Sequence, residues 1–243
     1  MRKKIELLIS PRNLEEAKVI INTGVNYIDC KNPNEGSLGA NFPWIIKSMK
    51  ELISPKSSQQ LSATIGDFPF LPGSASLAAL GAAVSGADLI KVGLKGPSNE
   101  NQGILLMKNV VKAVNDFNAN IKVVAAGYAD SKRFNSSLKY LEIPTIAAES
   151  GSNIAMLDTY IKDDKSLFDF LSVEELIKFK EKAHNLNLKV ALAGHLMKKD
   201  LPLIKQVSPD IIGVRSFVCE GFDRDKGKIK KELIESLIKE MYN

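Results

Sequence analysis

The chain has 243 residues, 44% hydrophobic and 25% charged, which excludes a disordered, collagenous or disulfide-stapled protein. Lys and Arg number 33 against 28 Asp and Glu, and the resulting +5 could favour anionic small molecules or nucleic acid but is more often a solvated surface. Neither cysteine, Cys30 or Cys219, sits in a ligand-spaced cluster, so no metal site is expected, and no apolar run approaches the ~18 residues of a membrane span.

The chain opens MRKKIELLIS, whose basic start lacks the apolar run and small-residue cleavage site of a secretory leader. Residues 5–10 read as a first strand, ended by Pro11, and Asn13 caps a helix that stops at Gly24. A second strand spans 27–31, and a Gly/Pro/Asn-rich loop, KNPNEGSLGAN, leads to a helix with Pro43 in its first turn. The third strand covers 60–66 and precedes a small-residue helix at 76–86. The fourth covers 89–93, with a long helix around 104–117 behind it. Strand five is 122–128, and 143–150 looks like the last part of a helix. Asn135-Ser136-Ser137 matches the glycosylation sequon, but without a secretory signal it reads as chance, and a reduced, cytoplasmic protein is expected. Strands six, seven and eight follow at 154–159, 189–194 and 211–215, each with a helix behind it.

Strands alternating with helices imply a parallel sheet, and eight units of about 30 residues match a closed (β/α)8 TIM barrel. A doubly wound open sheet is the alternative, yet no GxGxxG opens any helix. With no linker or low-complexity segment, residues 1–243 read as one domain.

In such a barrel the site lies at the C-terminal ends of the strands, where i and i+2 share a face. In YIDCK the apolar pair Ile28 and Cys30 should face the helices, which turns Asp29 and Lys31 inward. By the same alternation Lys91 and Asp158 point inward, Lys162 follows in the sixth loop, and Arg215 ends strand eight beside Gly213 on the inner face. Charges are rarely buried without a partner or a purpose, so two inward lysines on separate strands suggest chemistry. A lysine in a dry cleft near another cation has a lowered pKa, which prepares a Schiff-base nucleophile.

Position also makes Gly194 and Arg215, after strands seven and eight, the expected phosphate holders, with Asp29 as a further substrate contact. The competing reading pairs Arg215 internally with Asp29 or Asp158. His184 is expected to be solvated or at a core edge, His195 at the mouth, Cys30 as a small hydrophobe, and Phe42 with Trp44 as core packing under the second loop.

The run DCKNPNEGSLGANFPW, followed by LSATIGD, SLAALGAAVSGADLIKVGL, LMKNVVKAV, KVVAAGYAD, AMLDTYIKD, FDF, ALAG and GVR, resembles the (5-formylfuran-3-yl)methyl phosphate synthase family of methanofuran biosynthesis. The likeness runs through nearly the whole chain in order. It implies a class I aldolase-like lyase that condenses two molecules of glyceraldehyde 3-phosphate, with loss of phosphate and water and without metal or organic cofactor. By matching motifs it implies Lys31 as the Schiff-base lysine and Lys91 as proton acceptor, with Asp158 and Lys162 assisting proton transfer and elimination. The sequence departs from the family pattern at His195 and at Ser216-Phe217, where small residues are usual. Other readings are a different class I aldolase acting on a phosphosugar, and a non-catalytic barrel that binds a phosphorylated ligand. Nucleic-acid binding is not expected, because basic and aromatic residues are not interleaved. A homo-oligomer is expected.

Overall fold

The computed structural model describes residues 4–134 and 136–242, so Asn135 of the sequon and the first three residues of the basic start lie outside the described residues. Eight strands, β1 (Glu6–Ile9), β2 (Tyr27–Cys30), β3 (Gln60–Asp67), β4 (Leu89–Gly93), β5 (Lys122–Tyr128), β6 (Ile154–Asp158), β7 (Lys189–Leu192) and β8 (Ile211–Val214), pair in sequence order. All pairs are parallel, and β8 closes on β1 with Leu8 opposite Gly213. The result is a closed (β/α)8 barrel. The helices are α1 (Leu14–Ile20), α2 (Pro43–Leu52), α3 (Pro72–Val84), α4 (Glu100–Asn118), α5 (Ile143–Ser150), α6 (Val173–Asn185), α7 (Leu201–Val207) and α8 (Lys231–Tyr242).

Local chemistry sets the helix starts. Asn13 and Asn99 accept hydrogen bonds from the N–H groups of Glu16 and Gln102, capping α1 and α4. Proline opens α2, α3, α5 and α7, where its missing N–H costs nothing. A 3-10 turn at Tyr140–Glu142 runs directly into α5, so residues 143–150 are the last part of a helical stretch, as expected. Alternation along the strands divides the core into two shells. Ile28, Cys30, Ile90, Val92, Ala155 and Leu157 pack outward against the helices. Leu8, Tyr27, Leu89, Val124, Met156 and Ile211 fill the barrel itself.

The loop between β2 and α2 folds across the barrel mouth. Leu38, fully buried, joins the inner shell like a stopper. Its neighbours are tied down: Thr64 Oγ1 donates to Gly39 O at 2.6 Å, and Ser37 Oγ donates to Thr159 O at 2.9 Å. Asp67, at a register shift in β3, accepts the Leu38 N–H and the Tyr128 hydroxyl. A side chain at Gly93 would collide with both Asp67 and Tyr128, so that anchor requires glycine. Phe42 and Trp44 do not pack under this loop as expected. They stack on each other, centroids 4.8 Å apart, and are 49% and 63% exposed, because Pro43 starts α2 with its first turn standing clear of the barrel.

Candidate active site

With one side of the mouth stoppered, the open side lies over β1, β2 and β6–β8. An inner cavity of about 30 Å³ there is lined by Asp29, Lys31, Lys91, Asp158, Lys162 and Gly194, among others. A cleft of about 280 Å³ adjoins it, walled by Gly36, Ser37, Tyr160 and Arg224. An outer groove of about 970 Å³ runs along Asn13, Asn32 and Phe42. Lys31 lines all three.

The lysines differ in their partners. Lys91 Nζ lies 2.7 Å from Asp29 Oδ1, and both side chains are at most 2% exposed. The other Asp29 oxygen accepts the Ser10 hydroxyl at 2.9 Å, so Asp29 lines the cavity with its charge already answered. Lys162 Nζ lies 2.7 Å from Asp158 Oδ1, which also accepts the Thr159 N–H at 2.7 Å. Burial by itself would raise the Asp158 carboxyl, but the Lys162 and Lys31 charges outweigh it and hold it below the usual carboxylate range. Among the described residues Lys31 has no carboxylate within ion-pair distance of its amine. Desolvation, with the Lys162 charge in support, lowers its pKa from 10.5 to about 8 against the weaker pull of Asp158 and Asp29. The arrangement is therefore two aspartate-paired lysines flanking a third that is unpaired and partly neutral near pH 8.

Gly194 follows β7 with φ +110, and a Cβ there would lie 2.9 Å from Thr159 Cγ2 and 3.1 Å from Thr159 N. Only glycine lets these two loops approach so closely. Arg215, an expected phosphate holder, lines the inner cavity with most of its guanidinium engaged by the protein itself. Nη1 donates to Ser10 O at 2.9 Å and Glu16 Oε2 at 2.7 Å, Nη2 to Glu16 Oε1 at 3.2 Å, and Nε to Arg224 O at 3.0 Å. Those contacts use four of the five guanidinium N–H bonds. Its carboxylate partner is Glu16 of α1, neither Asp29 nor Asp158. His195 lines the mouth with φ +48 and its Nδ1 3.4 Å from Ser216 Oγ; burial, aided by the Arg224 charge, lowers its pKa. Cys30 is pushed up to about 12 by burial, which removes it as a nucleophile. His184 stands at the outer edge, 2.8 Å from Asp210.

The sequence model of the 4-HFC-P synthase family matches residues 7–238. The (5-formylfuran-3-yl)methyl phosphate synthase of Methanocaldococcus jannaschii is 53% identical over 95% of this chain and 97% of its own length. The enzyme of the same name from Methanosarcina barkeri is 50% identical over 97% and 99%. The chain belongs to the 4-HFC-P synthase family. Solved structures share the barrel fold with this chain by shape alone. KGPDC from Streptococcus mutans matches with TM-score 0.65 at 16% identity, over 99% of this chain and 100% of that one. Orotidine 5'-monophosphate decarboxylase from Methanocaldococcus jannaschii matches with TM-score 0.62 at 17% identity, over 98% and 100%. The residues that sequence patterns did not single out are Glu16, which occupies Arg215, and Arg224, which walls the cleft. Arg224 lies in a loop without periodicity. Its only sequence signal is a basic residue in the loop after strand eight.

Proposed function

We propose that this chain makes (5-formylfuran-3-yl)methyl phosphate from two molecules of glyceraldehyde 3-phosphate through an imine at Lys31, as a step toward methanofuran. The observation that carries this reading is the unpaired Lys31, with its amine lowered to about 8, where the three cavities meet. The neutral amine adds to one aldehyde and loses water, and the resulting imine acidifies the neighbouring C–H bond. Removal of that proton gives an enamine, which forms the carbon–carbon bond to the second aldehyde. Attack of a hydroxyl of the second triose on the former imine carbon expels the lysine amine. Loss of one phosphate and a net further water completes the furan, so that two trioses give one product, one phosphate and two waters. The Asp158–Lys162 pair, 2.7 Å apart, is the proton-transfer couple for imine formation and elimination. Lys91, 2.7 Å from Asp29 Oδ1, is the proton acceptor once it has handed its own proton to that carboxylate. Gly194 admits the substrate close to the β6 and β7 main chain. The scheme needs no metal and no organic cofactor.

The test is borohydride reduction in the presence of glyceraldehyde 3-phosphate, followed by peptide mass spectrometry. A reduced triose adduct on Lys31 and a furan aldehyde phosphate among unreduced products are expected. A different aldol product would reassign the chain to another class I aldolase, and absence of any adduct would leave a binding protein.

A further inference from the structure

The cavities around Lys31 hold more positive charge than their carboxylates answer. Lys91 is matched by Asp29, Lys162 by Asp158 and Arg215 by Glu16. Two cations remain, Lys31 and Arg224. Arg224 walls both the inner cavity and the 280 Å³ cleft, and its side chain is only 17% exposed. The nearest carboxylate oxygen, Asp225 Oδ1, is 4.0 Å from its Nε and is already 2.7 Å from Arg12 Nη2. Burial lowers the Arg224 pKa, with Asp158 and Asp225 compensating at longer range.

This loop is held in place on purpose-built contacts. Arg215, itself anchored by Glu16, donates from Nε to the Arg224 carbonyl at 3.0 Å. Arg12 donates from Nη1 to the next carbonyl, that of Asp225, at 2.5 Å. Two arginines thus fix the main chain of Arg224 and Asp225, while the Arg224 guanidinium keeps its donors for something else. A desolvated guanidinium with no carboxylate in hydrogen-bond reach is matched by an anion, and its planar fork suits phosphate. The inner cavity, at about 30 Å³, is too small for a triose phosphate, whereas the cleft shared by Lys31, Lys162 and Arg224 is not.

We propose that Arg224 grips the phosphate of the aldehyde that condenses with Lys31. The inference rests on the reading of Lys31 as the imine-forming residue. Arg215 acts through Arg224, as the residue that positions its loop.

The experiment compares borohydride trapping of Lys31 by glyceraldehyde 3-phosphate and by glyceraldehyde, in the wild type, in Arg224→Gln and in Lys226→Gln. The last removes the same charge from an exposed position on the same loop. Arg224→Gln should lose roughly 30- to 1000-fold in trapping efficiency with the phosphorylated aldehyde and little with the other. Lys226→Gln should match the wild type with both. Equal losses with both aldehydes, or none with either, overturn the proposal, because a phosphate grip must discriminate. If Arg224→Gln fails to fold, Arg224→Lys carries the same comparison, with a smaller loss confined to the phosphorylated aldehyde expected and an unchanged ratio overturning it. No trapping in the wild type with either aldehyde would instead defeat the Lys31 reading.

Discussion

At the scale of single residues, Lys31 controls the pH dependence. Its amine must be neutral to attack an aldehyde, so trapping at Lys31 should rise as pH passes through about 8 and level off above it. The same shift affects stability. Between the ordinary 10.5 and the native value of about 8 the unfolded chain holds a proton that the native chain lacks. Folding is therefore penalised as pH falls through that window, and fully penalised below it. Lys31→Met should abolish trapping yet raise the melting temperature at pH 7, with the gain disappearing above pH 10.5. A melting temperature lowered at pH 7 would contradict this account. The inward set of Asp29, Lys31, Lys91 and Asp158 was legible because strand alternation decides which face a side chain leaves from. The partner it meets there is another matter. Arg215 leaves β8 as expected, but its carboxylate comes from a helix 199 residues earlier, which no local periodicity reports.

At the scale of elements, α1 serves the site through Glu16. The Glu16–Arg215 pair is about 10% exposed at most, and breaking such a pair from one side costs about 3–5 kcal/mol, since a buried charge is left alone. Glu16→Gln should therefore unfold at lower urea, and the double change Glu16→Gln with Arg215→Met should recover part of the loss. The loop between β2 and α2 makes a second prediction. Leu38→Ala removes the stopper from the inner shell, at a cost of about 2–5 kcal/mol in a denaturant titration. The Leu38→Ala loop should then be cut more readily by protease. Caps and prolines made the helix starts readable. The loop itself was readable only as Gly- and Asn-rich, since its conformation depends on Thr64 and Asp67 of β3 and on Thr159 just past β6.

For the whole molecule, eight repeats of one alternating pattern were enough to define the closed barrel, because a parallel sheet of this length has few ways to bury both faces. Among the described residues no three His, Cys, Asp or Glu side chains gather as metal ligands, and no helix is long and apolar enough to cross a membrane. If condensation runs through an imine at Lys31, turnover should survive exhaustive treatment with EDTA, and loss restored by a divalent ion would move the chemistry away from the lysine imine. The homo-oligomer is our proposal, and sedimentation at the 26.6 kDa of a single chain would remove it.

The seam between β1 and β8 has a kinetic consequence. Glu6–Ile9 pairs with Ile211–Val214, and Arg215 reaches back 205 residues to Ser10, so one edge of the nascent sheet waits for the last strand. Pairings of such long separation make a fold slow to assemble and leave its edge open to aggregation meanwhile. Yet Tyr242 donates its hydroxyl to the Ile5 carbonyl at 2.8 Å, which brings the end of α8 beside the start of β1. A circular permutant that joins these neighbours and opens the exposed turn between Leu186 and Asn187 would turn the seam into a local pairing. Because the cut makes β6–β7 the new first-to-last pairing, it should refold at about the parent's rate while trapping the same aldehyde at Lys31, and a faster rate would show that the β1–β8 seam alone limits folding.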